Sequence, residues 1–210
     1  MIRLITPGDY DALMNLLREA FWNLYKPGCE EHFLADKILK HPDYIPELSF
    51  LIEKDGEPAG CILYTHSKVA DAGGNEYATI TFGPVCIAPP LHRQGLGRAL
   101  ISHSIAEAKR LGFGAIIIGG FPYHYHTYGF EGTKKYGISM PDGKFYTGIM
   151  ALPLYDGALD GVRGKMLFSD SMNIDPQEAE DFDKRFAHKE KLVLPCQADY
   201  ERAAADIDVN

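Results

Sequence analysis

Ile87-Ala-Pro-Pro-Leu-His-Arg-Gln-Gly-Leu-Gly-Arg98 is the most informative stretch of this sequence. It predicts the end of a strand, a loop that contains Gly95 and Gly97, and the start of an amphipathic helix. The first N–H groups of a helix are unpaired and lie at the positive end of its dipole, so such a loop can bind a phosphate group through its main chain. The two glycines permit close approach of a ligand, and Arg93 and Arg98 can add charge-assisted hydrogen bonds.

Two better-known phosphate loops do not fit this stretch. A Walker loop requires the pattern GxxxxGK[ST], which the sequence lacks. A Rossmann fingerprint requires GxGxxG and an acidic residue about 20 residues later. Here Leu100 stands at the third glycine position, and residues 113–119 contain no acid. A loop that only turns the chain would leave the two arginines beside the glycines unexplained.

The segments on either side of the loop predict a mixed sheet. Before the loop, the sequence indicates a strand over residues 2–5, a helix from about 7 to 25 and a second helix over 30–40. Three extended segments with turn residues between them then favour an antiparallel meander over 48–53, 58–66 and 77–87. After the loop we expect a helix ending near Gly112, an apolar strand over 115–118, a strand over 145–154 and a helix from 175 to about 186.

The composition limits the class of protein. The chain has 210 residues, of which 46% are hydrophobic and 24% are charged, as in one large domain or one domain with an appendage. A formal charge of −8 argues against a nucleic-acid partner, because phosphate binding needs a basic surface. The sequence has no signal-peptide pattern and no apolar run of membrane-spanning length, so we expect neither secretion nor a membrane partner.

The cysteines and histidines do not predict a metal site. Four cysteines lie far apart without a CxxC pair, which excludes a zinc knuckle and a disulfide framework: Cys29, Cys61, Cys86 and Cys196. This cysteine usage favours a reducing, cytoplasmic location. His124 and His126 could form a His-x-His pair, but no third ligand stands at a recognisable spacing, so no metal is expected.

At this point the glycine loop resembles a known signature. It is similar to the acetyl-CoA motif [Gln/Arg]-x-x-Gly-x-[Gly/Ala] of the GNAT superfamily of N-acetyltransferases, which usually follows a proline by three residues. Pro89, Gly95 and Gly97 match this register, whereas His92 occupies the position that is normally Gln or Arg. The resemblance covers roughly residues 1–153. It implies an α/β (mixed) GNAT-type acyltransferase fold, with a central mostly antiparallel sheet, a splayed parallel pair and flanking helices.

The same resemblance implies acetyl-CoA as cosubstrate, in a gap between the strands that contain Val85 and Ile117. The acceptor would enter from the other side, under the first two helices. Backbone groups of the strand that contains Val85 would hydrogen-bond to the oxyanion and to the pantetheine. The cofactor-binding residues that follow are Val85, Cys86, Ile87, His92, Arg93, Gln94, Gly95, Leu96, Gly97, Arg98 and Ala99. Cys86 also invites a covalent acyl-enzyme interpretation, although a single buried cysteine is more often a small hydrophobe.

A second motif follows, Pro122-Tyr-His-Tyr-His-Thr-Tyr-Gly-Phe130, and it is similar to the family's Tyr-x-x-x-Gly-Phe ending. Tyr125 stands four residues before the glycine, and the resemblance implies that it gives a proton to the departing coenzyme A sulfur. A phenol with a pKa of about 10 is protonated at neutral pH and can donate. Without this register, a packing tyrosine would be the simpler interpretation.

The proton acceptor is not identified by the sequence. An alkylammonium has a pKa of about 10.4, so a base must remove a proton before the amine attacks. The candidates near the predicted site are His66, Glu76, Tyr77, His124 and His126, and a water relay could serve instead.

Three functions stay open on the sequence alone. The first is direct acetyl transfer to an amine-bearing acceptor, a small molecule or a protein, by a monomer or a homodimer. The others are a non-catalytic acyl-CoA binding or sensing module and an acyltransferase that uses another acyl-CoA. An unrelated nucleotide-dependent enzyme is disfavoured, because its motifs are missing.

We expect an acetyltransferase domain over residues 1–155 and a C-terminal extension over 156–210 packed on or beside it. The extension contains a polar segment that runs from Phe182 to Lys191. Two interpretations of this segment are balanced: a cover over the acceptor side of the cleft, or a solvated helix with a loose end.

Overall fold

A computed structural model describes residues 1–209 of the chain. Within them, nine strands form one sheet: β1 (Ile2–Leu4), β2 (Phe50–Lys54), β3 (Glu57–Ala70), β4 (Glu76–Ile87), β5 (Ala115–Gly119), β6 (Glu131–Gly132), β7 (Ile138–Ser139), β8 (Ile149–Pro153) and β9 (Gly164–Leu167). The α-helices are α1 (Tyr10–Phe21), α2 (Glu31–Lys40), α3 (Leu96–Arg110), α4 (Pro122–Tyr125), α5 (Pro176–Asp183) and α6 (Pro195–Ala205). None of these helices is long and apolar enough to cross a membrane.

The sheet confirms the predicted fold class. The main path of the sheet runs β1-β2-β3-β4-β5-β8-β6, and along it only β4 and β5 are parallel. Strand β9 lies off this path: it pairs antiparallel with β3 and in parallel with β7. The parallel pair meets in register only at Ile80 and Ile116. Just beyond that pair, β4 carries one extra residue opposite β3 around Gly83 and Pro84, and such a β-bulge bends the strand. The two parallel strands therefore separate toward their carboxyl ends.

Helices cover both faces of the sheet, and each face has its own hydrophobic core. On one face, α3 contributes Leu100, Ile101 and Ile105 to a core shared with β2, β3, β4, β5 and β8. On the other face, α1 and α2 pack over residues of β2, β3 and β4, and α5 adds Phe182. Strand residues such as Ile116 and Leu63 are fully buried, as their short apolar runs predict.

The first helix is shorter than the sequence predicts. Thr6 and Asp9 form a capping box around a 3₁₀ turn, Pro7–Asp9, and the α-helix begins only at Tyr10. It ends at Phe21 rather than near residue 25, because Asn23 takes a left-handed conformation with φ of 59°. The Asn23 side chain accepts hydrogen bonds from the N–H groups of Gly28 and Leu192, and these bonds hold the turn in place.

The C-terminal part of the chain differs most from the prediction. The 182–186 segment is not a solvated helix, because Phe182 is 4% exposed and packs against Phe33, while Asp183 pairs with Arg18 at 2.6 Å. Two elements there were not predicted from the sequence, β9 and α6. The end of α6 is fixed by main-chain hydrogen bonds from Thr147 N–H to Asp206 C=O at 3.0 Å and from Asp208 N–H to Phe145 C=O at 2.8 Å. Residue 210, part of the predicted extension, lies outside the described residues.

Candidate active site

The glycine loop presents a row of free backbone donors. Within residues 1–209, none of the N–H groups of residues 93–98 donates a hydrogen bond, whereas Ala99 N–H bonds to Gly95 C=O at 3.0 Å as a normal helical donor. Gly95 caps α3 with a left-handed φ of 81°, and Arg93 also has a positive φ, of 61°. Except for half-buried Leu96 and Gly97, these residues are exposed. This arrangement suits an anion that accepts several main-chain hydrogen bonds.

Side chains fix the loop to the sheet. His92 Nε2 lies 2.9 Å from the carbonyl oxygen of Ile87, the last residue of β4, so this histidine bonds to protein main chain. Gln94 Oε1 accepts a hydrogen bond from Lys54 Nζ at 2.6 Å. A Cβ atom on Gly97 would meet only Ile87 Cγ1, at 3.5 Å, so the fold itself does not require a glycine there. The free space beside Gly97 is available to a ligand.

A cavity of about 750 Å³ opens where β4 and β5 separate. Its walls include the bulged part of β4 up to Val85, Gly119 at the end of β5 with the following Gly120, and residues of α1, α2, α4 and α6. This volume falls within the range of small-molecule sites. Val85 thus connects the cavity with the end of β4, to which the glycine loop is bound.

Tyr125 lies at the cavity, and its hydroxyl has no hydrogen-bond partner within residues 1–209. Its ring packs against Phe82 and Phe130, with centroids 5.8 Å from each. A side chain on Gly120 would overlap this ring, so the glycine makes room for the tyrosine. Burial raises the pKa of Tyr125 to about 12, and nearby Tyr128 adds to the shift. The phenol is therefore a protonated donor at any ordinary pH.

The predicted β4 residues do not all face the cavity. Val85 lines it, whereas Cys86 points to the opposite core under α1 and α2 and is 8% exposed. Cys86 Sγ lies 3.6 Å from Sγ of Cys61, and both thiols are free. This orientation separates the sulfur of Cys86 from the other residues of the predicted site.

Among the five candidate bases from the sequence, only His124 lines the cavity. Burial lowers the pKa of His124, which favours a neutral imidazole. Glu76 lies at the far end of the β3–β4 hairpin in a salt bridge with Lys68, and His66 is exposed beside Phe113. No three His, Cys, Asp or Glu side chains in the described chain are placed to hold a metal ion.

Sequence reasoning missed a carboxylate in the same cavity, Glu31 at the start of α2. Burial raises the pKa of Glu31 to about 7, although the backbone N–H of Glu30 donates to its Oε2 at 3.0 Å. A general base works best when its pKa is near the operating pH. An acid in the first turn of a helix is ordinarily explained by the helix dipole, so nothing in the sequence marked this one.

The raised pKa of Glu31 predicts a stability effect that does not depend on activity. The folded protein holds this proton more tightly than the unfolded chain, so ionisation costs stability progressively from about pH 4.5 to about pH 7. Because the side chain is partly exposed, we expect Glu31→Gln to raise the free energy of unfolding at pH 8 by only about 1 kcal/mol. The gain should be absent near pH 4.5, as measured by denaturant titration at both pH values.

A splayed parallel pair, a glycine loop with free amides after its first strand and a protonated tyrosine at the cavity between the strands are features of an acyl-CoA-dependent acyltransferase fold. The loop itself lies outside the cavity lining, which contains none of residues 86–99. The family model described as "Acetyltransferase (GNAT) family" matches residues 10–130. The chain therefore belongs to the GNAT family of acetyltransferases, and it is an acyltransferase by that membership.

Individual relatives are distant in sequence but similar in length. The protein called uncharacterized N-acetyltransferase YhbS of Escherichia coli strain K12 is 21% identical over 173 residues, which are 82% of this chain and 98% of that protein. The crystal structure of E. coli YhbS in complex with CoA has a TM-score of 0.73 and covers 83% of this chain and 92% of that chain, at 21% identity. A GNAT acetyltransferase from Brucella melitensis in complex with acetyl-CoA has a TM-score of 0.67, 20% identity and coverage of 82% and 97%. These structural similarities concern the fold.

Proposed function

We propose that this chain transfers the acetyl group of acetyl-CoA directly to an amine, with Tyr125 as the general acid for the departing sulfur. One observation carries the proposal: Tyr125, whose hydroxyl has no hydrogen-bond partner within residues 1–209, lines a cavity at the splayed end of β4, the strand that leads into the free amides of residues 93–98. The resemblance to structures in complex with CoA and acetyl-CoA supports the choice of donor. Residues 1–155 would form the acetyltransferase unit, and residues 156–210 its extension.

The residues of the glycine loop fit a pyrophosphate. Six consecutive N–H groups that have no partner among residues 1–209 can donate to its oxygens, and the exposed side chains of Arg93 and Arg98 can add charge-assisted bonds. Leu96 and Gly97 bring the backbone close, and His92 and Gln94 hold the loop against β4 and β2. In this proposal, the main chain of Val85, Cys86 and Ile87 faces the pantetheine and the thioester.

Direct transfer is favoured over an acyl-enzyme because the thiol of Cys86 lies in the core under α1 and α2 and does not line the cavity. We expect Cys86→Ala to keep kcat within about twofold and to cost about 1 kcal/mol of stability for the lost buried sulfur. Steady-state kinetics with acetyl-CoA would check this. Trapping of an acetyl group on Cys86, together with an inactive Ala variant, would contradict direct transfer.

A ligand titration followed by thermal unfolding tests the donor. CoA and acetyl-CoA at 100 times their Kd should stabilise the folded protein by about 2.7 kcal/mol, whereas ATP and NAD should have no comparable effect. Release of CoA thiol that depends on an added amine, with the acetylated product identified by mass spectrometry, would then establish transfer. Binding of CoA without any transfer would instead indicate an acyl-CoA sensing module, and preference for a longer acyl chain would indicate another acyltransferase.

A further inference from the structure

The cavity that Tyr125 lines is acidic. Its charged lining residues are Glu31, Asp142 and Asp206, and no lysine or arginine of the described chain lines it. His124 also lines the cavity, and burial lowers its pKa. A cavity with this charge pattern attracts a cation and gives a substrate carboxylate no partner.

Aromatic rings surround the Glu31 end of the cavity. Tyr25 stacks on Tyr200 of α6, with ring centroids 4.2 Å apart and planes at 24°. Phe21 lies 5.7 Å from Tyr25 on one side, and Phe121 lies 6.1 Å from Tyr200 on the other. All four rings line the cavity, and Tyr200 is 37% exposed, so a ligand can reach its surface. The faces of such rings attract an ammonium group, and the rings also provide apolar contact for its carbon substituent.

The C-terminal helix is held firmly enough to serve as a wall. Gln197 Nε2 donates to the carbonyl oxygens of Asn23 at 3.0 Å and Leu192 at 2.9 Å, which joins α6 to the connection between α1 and α2. The other end of α6 is fixed by the hydrogen bond between Thr147 and Asp206. Contacts at both ends of its helix therefore hold Tyr200 at the cavity that Glu31 also lines.

We propose, on the basis of the function proposed above, that Tyr25, Glu31 and Tyr200 form the acceptor subsite for a cationic small-molecule amine with an apolar or aromatic body. Glu31 takes the first proton from the bound ammonium group. The two tyrosine rings bind its charge and its carbon skeleton, and the wall formed by α6 limits the acceptor to a small molecule rather than a protein terminus.

The transfer then balances as follows. Glu31 removes one proton from the ammonium group, and the freed lone pair forms the N–C bond to the thioester carbonyl. The C–S bond breaks with its electron pair on sulfur, which receives the proton of Tyr125. The second proton lost by nitrogen returns to the Tyr125 oxygen through water, and Glu31 releases its proton to solvent. The net products are an amide, the CoA thiol and one proton.

The titratable groups around Glu31 determine its pKa and therefore the pH dependence of the proposed reaction. Lys26 and Glu30, in the connection before α2, are paired with each other, and their charges shift the pKa of Glu31 in opposite directions. The remaining titratable neighbours have pKa values raised mainly by burial and are neutral near pH 7: Tyr25, Cys29 and Tyr200. We therefore expect kcat/KM of the wild type to rise with a single midpoint at about pH 7.

Glu31→Gln tests the role of the carboxylate. At pH 7 we expect kcat/KM to fall about 10²-fold, and the midpoint to move from about 7 toward the amine's own pKa of about 10.4, since only the free amine can then attack. The Kd of acetyl-CoA should stay within about twofold, which shows that the protein is folded. Glu178→Gln is the matched control, because Glu178 is exposed on α5 and does not line the cavity, and its midpoint should stay near pH 7. An unchanged pH profile in Glu31→Gln would overturn the proposal.

Tyr200→Ala tests the aromatic wall. Loss of the cation–π contact should raise KM for the amine about tenfold with little change in kcat, and Tyr200→Phe should restore the wild-type value. Tyr123→Ala is the control, since Tyr123 is 71% exposed and does not line the cavity. An unaltered KM in Tyr200→Ala would remove α6 from the acceptor subsite.

The substrate class is tested with three amines that share the 2-phenylethylamine skeleton and differ in what is attached beside the amino group. 2-Phenylethylamine should be acetylated at least about 10²-fold more efficiently than phenylalanine, whose carboxylate finds three acids and no cation in the cavity. A tripeptide amide that begins with phenylalanine should be as poor a substrate, because in this proposal α6, which lines the cavity, leaves no room for the rest of the peptide. Efficient transfer to phenylalanine or to the peptide would overturn the inference while supporting acetyl transfer. Absence of transfer to every amine, or no stabilisation by CoA, would overturn the proposed function and this inference with it.

Discussion

Tyr125→Phe is expected to lower kcat by about 10³-fold and to leave the Kd of CoA unchanged within about twofold. The substitution removes only the hydroxyl group, and the ring keeps its contacts with Phe82 and Phe130. Since that hydroxyl has no hydrogen-bond partner within residues 1–209, its loss should hardly alter stability. Presteady-state and steady-state kinetics with a saturating amine would measure the effect on the chemical step.

The pKa of Tyr125 explains why the loss should fall on kcat. A phenol with a pKa of about 12 stays protonated over the whole assay range, so it adds no alkaline limb to the pH profile. A thiol has a pKa of about 8.5, so complete proton transfer to a free thiolate would be unfavourable. In the proposed mechanism, the phenol therefore acts by hydrogen bonding to the sulfur as negative charge develops, and its proton moves only as the second proton of the nitrogen replaces it.

Tyr123→Phe provides the matched control for this experiment. It makes the same chemical change two residues away, at a ring that is 71% exposed and outside the cavity lining. We expect its kcat to equal that of the wild type. A Tyr125→Phe variant with the same kcat as this control would remove Tyr125 from the mechanism.

The parts of the site that could be predicted are those whose signals are local in sequence. The loop and α3 were predicted because glycine, helix periodicity and the cap at Gly112, with φ of 83°, lie within one short stretch. The meander of β2, β3 and β4 followed from turn residues such as Asp55-Gly56, both of which have positive φ. Tyr125 was predicted as a site residue only through its register with a family motif, because its local surroundings would equally suit a packing residue, and its role stays a prediction.

The acceptor side could not be predicted because it is assembled by tertiary contacts. Glu31 and Tyr200 come from opposite ends of the chain, and the packing of α6 through Gln197 and Asn23 brings them to one cavity. The α6 sequence is weakly amphipathic and rich in alanine, so it has no apolar stripe that would predict a packed helix. The pKa of Glu31 is likewise a property of burial, which a sequence pattern does not display.

The binding of the donor can be tested separately from the chemistry by Gly97→Val, which is expected to weaken CoA binding by about 10³-fold. Several charge-assisted bonds between main-chain N–H groups and phosphate oxygens, each contributing about 1.5–3 kcal/mol, would be lost if a side chain kept the pyrophosphate away. Valine suits this purpose because its branched side chain is stiff and cannot swing aside. Isothermal titration calorimetry with CoA would measure the change.

This substitution should leave the fold intact, which makes the loss of binding informative. The nearest atom to a Cβ on Gly97 is Ile87 Cγ1 at 3.5 Å, an ordinary contact distance, and Gly97 has no left-handed φ that would resist a side chain. Ala106→Val, at an exposed position of the same helix, is the control for the cost of a β-branched residue, about 0.5 kcal/mol. Both variants should unfold at similar temperatures without ligand, and only Gly97→Val should fail to gain stability from CoA. If Gly97→Val bound CoA as tightly as the wild type, the phosphates would have to lie away from these amides, and the placement of the thioester beside Tyr125 would fail with them.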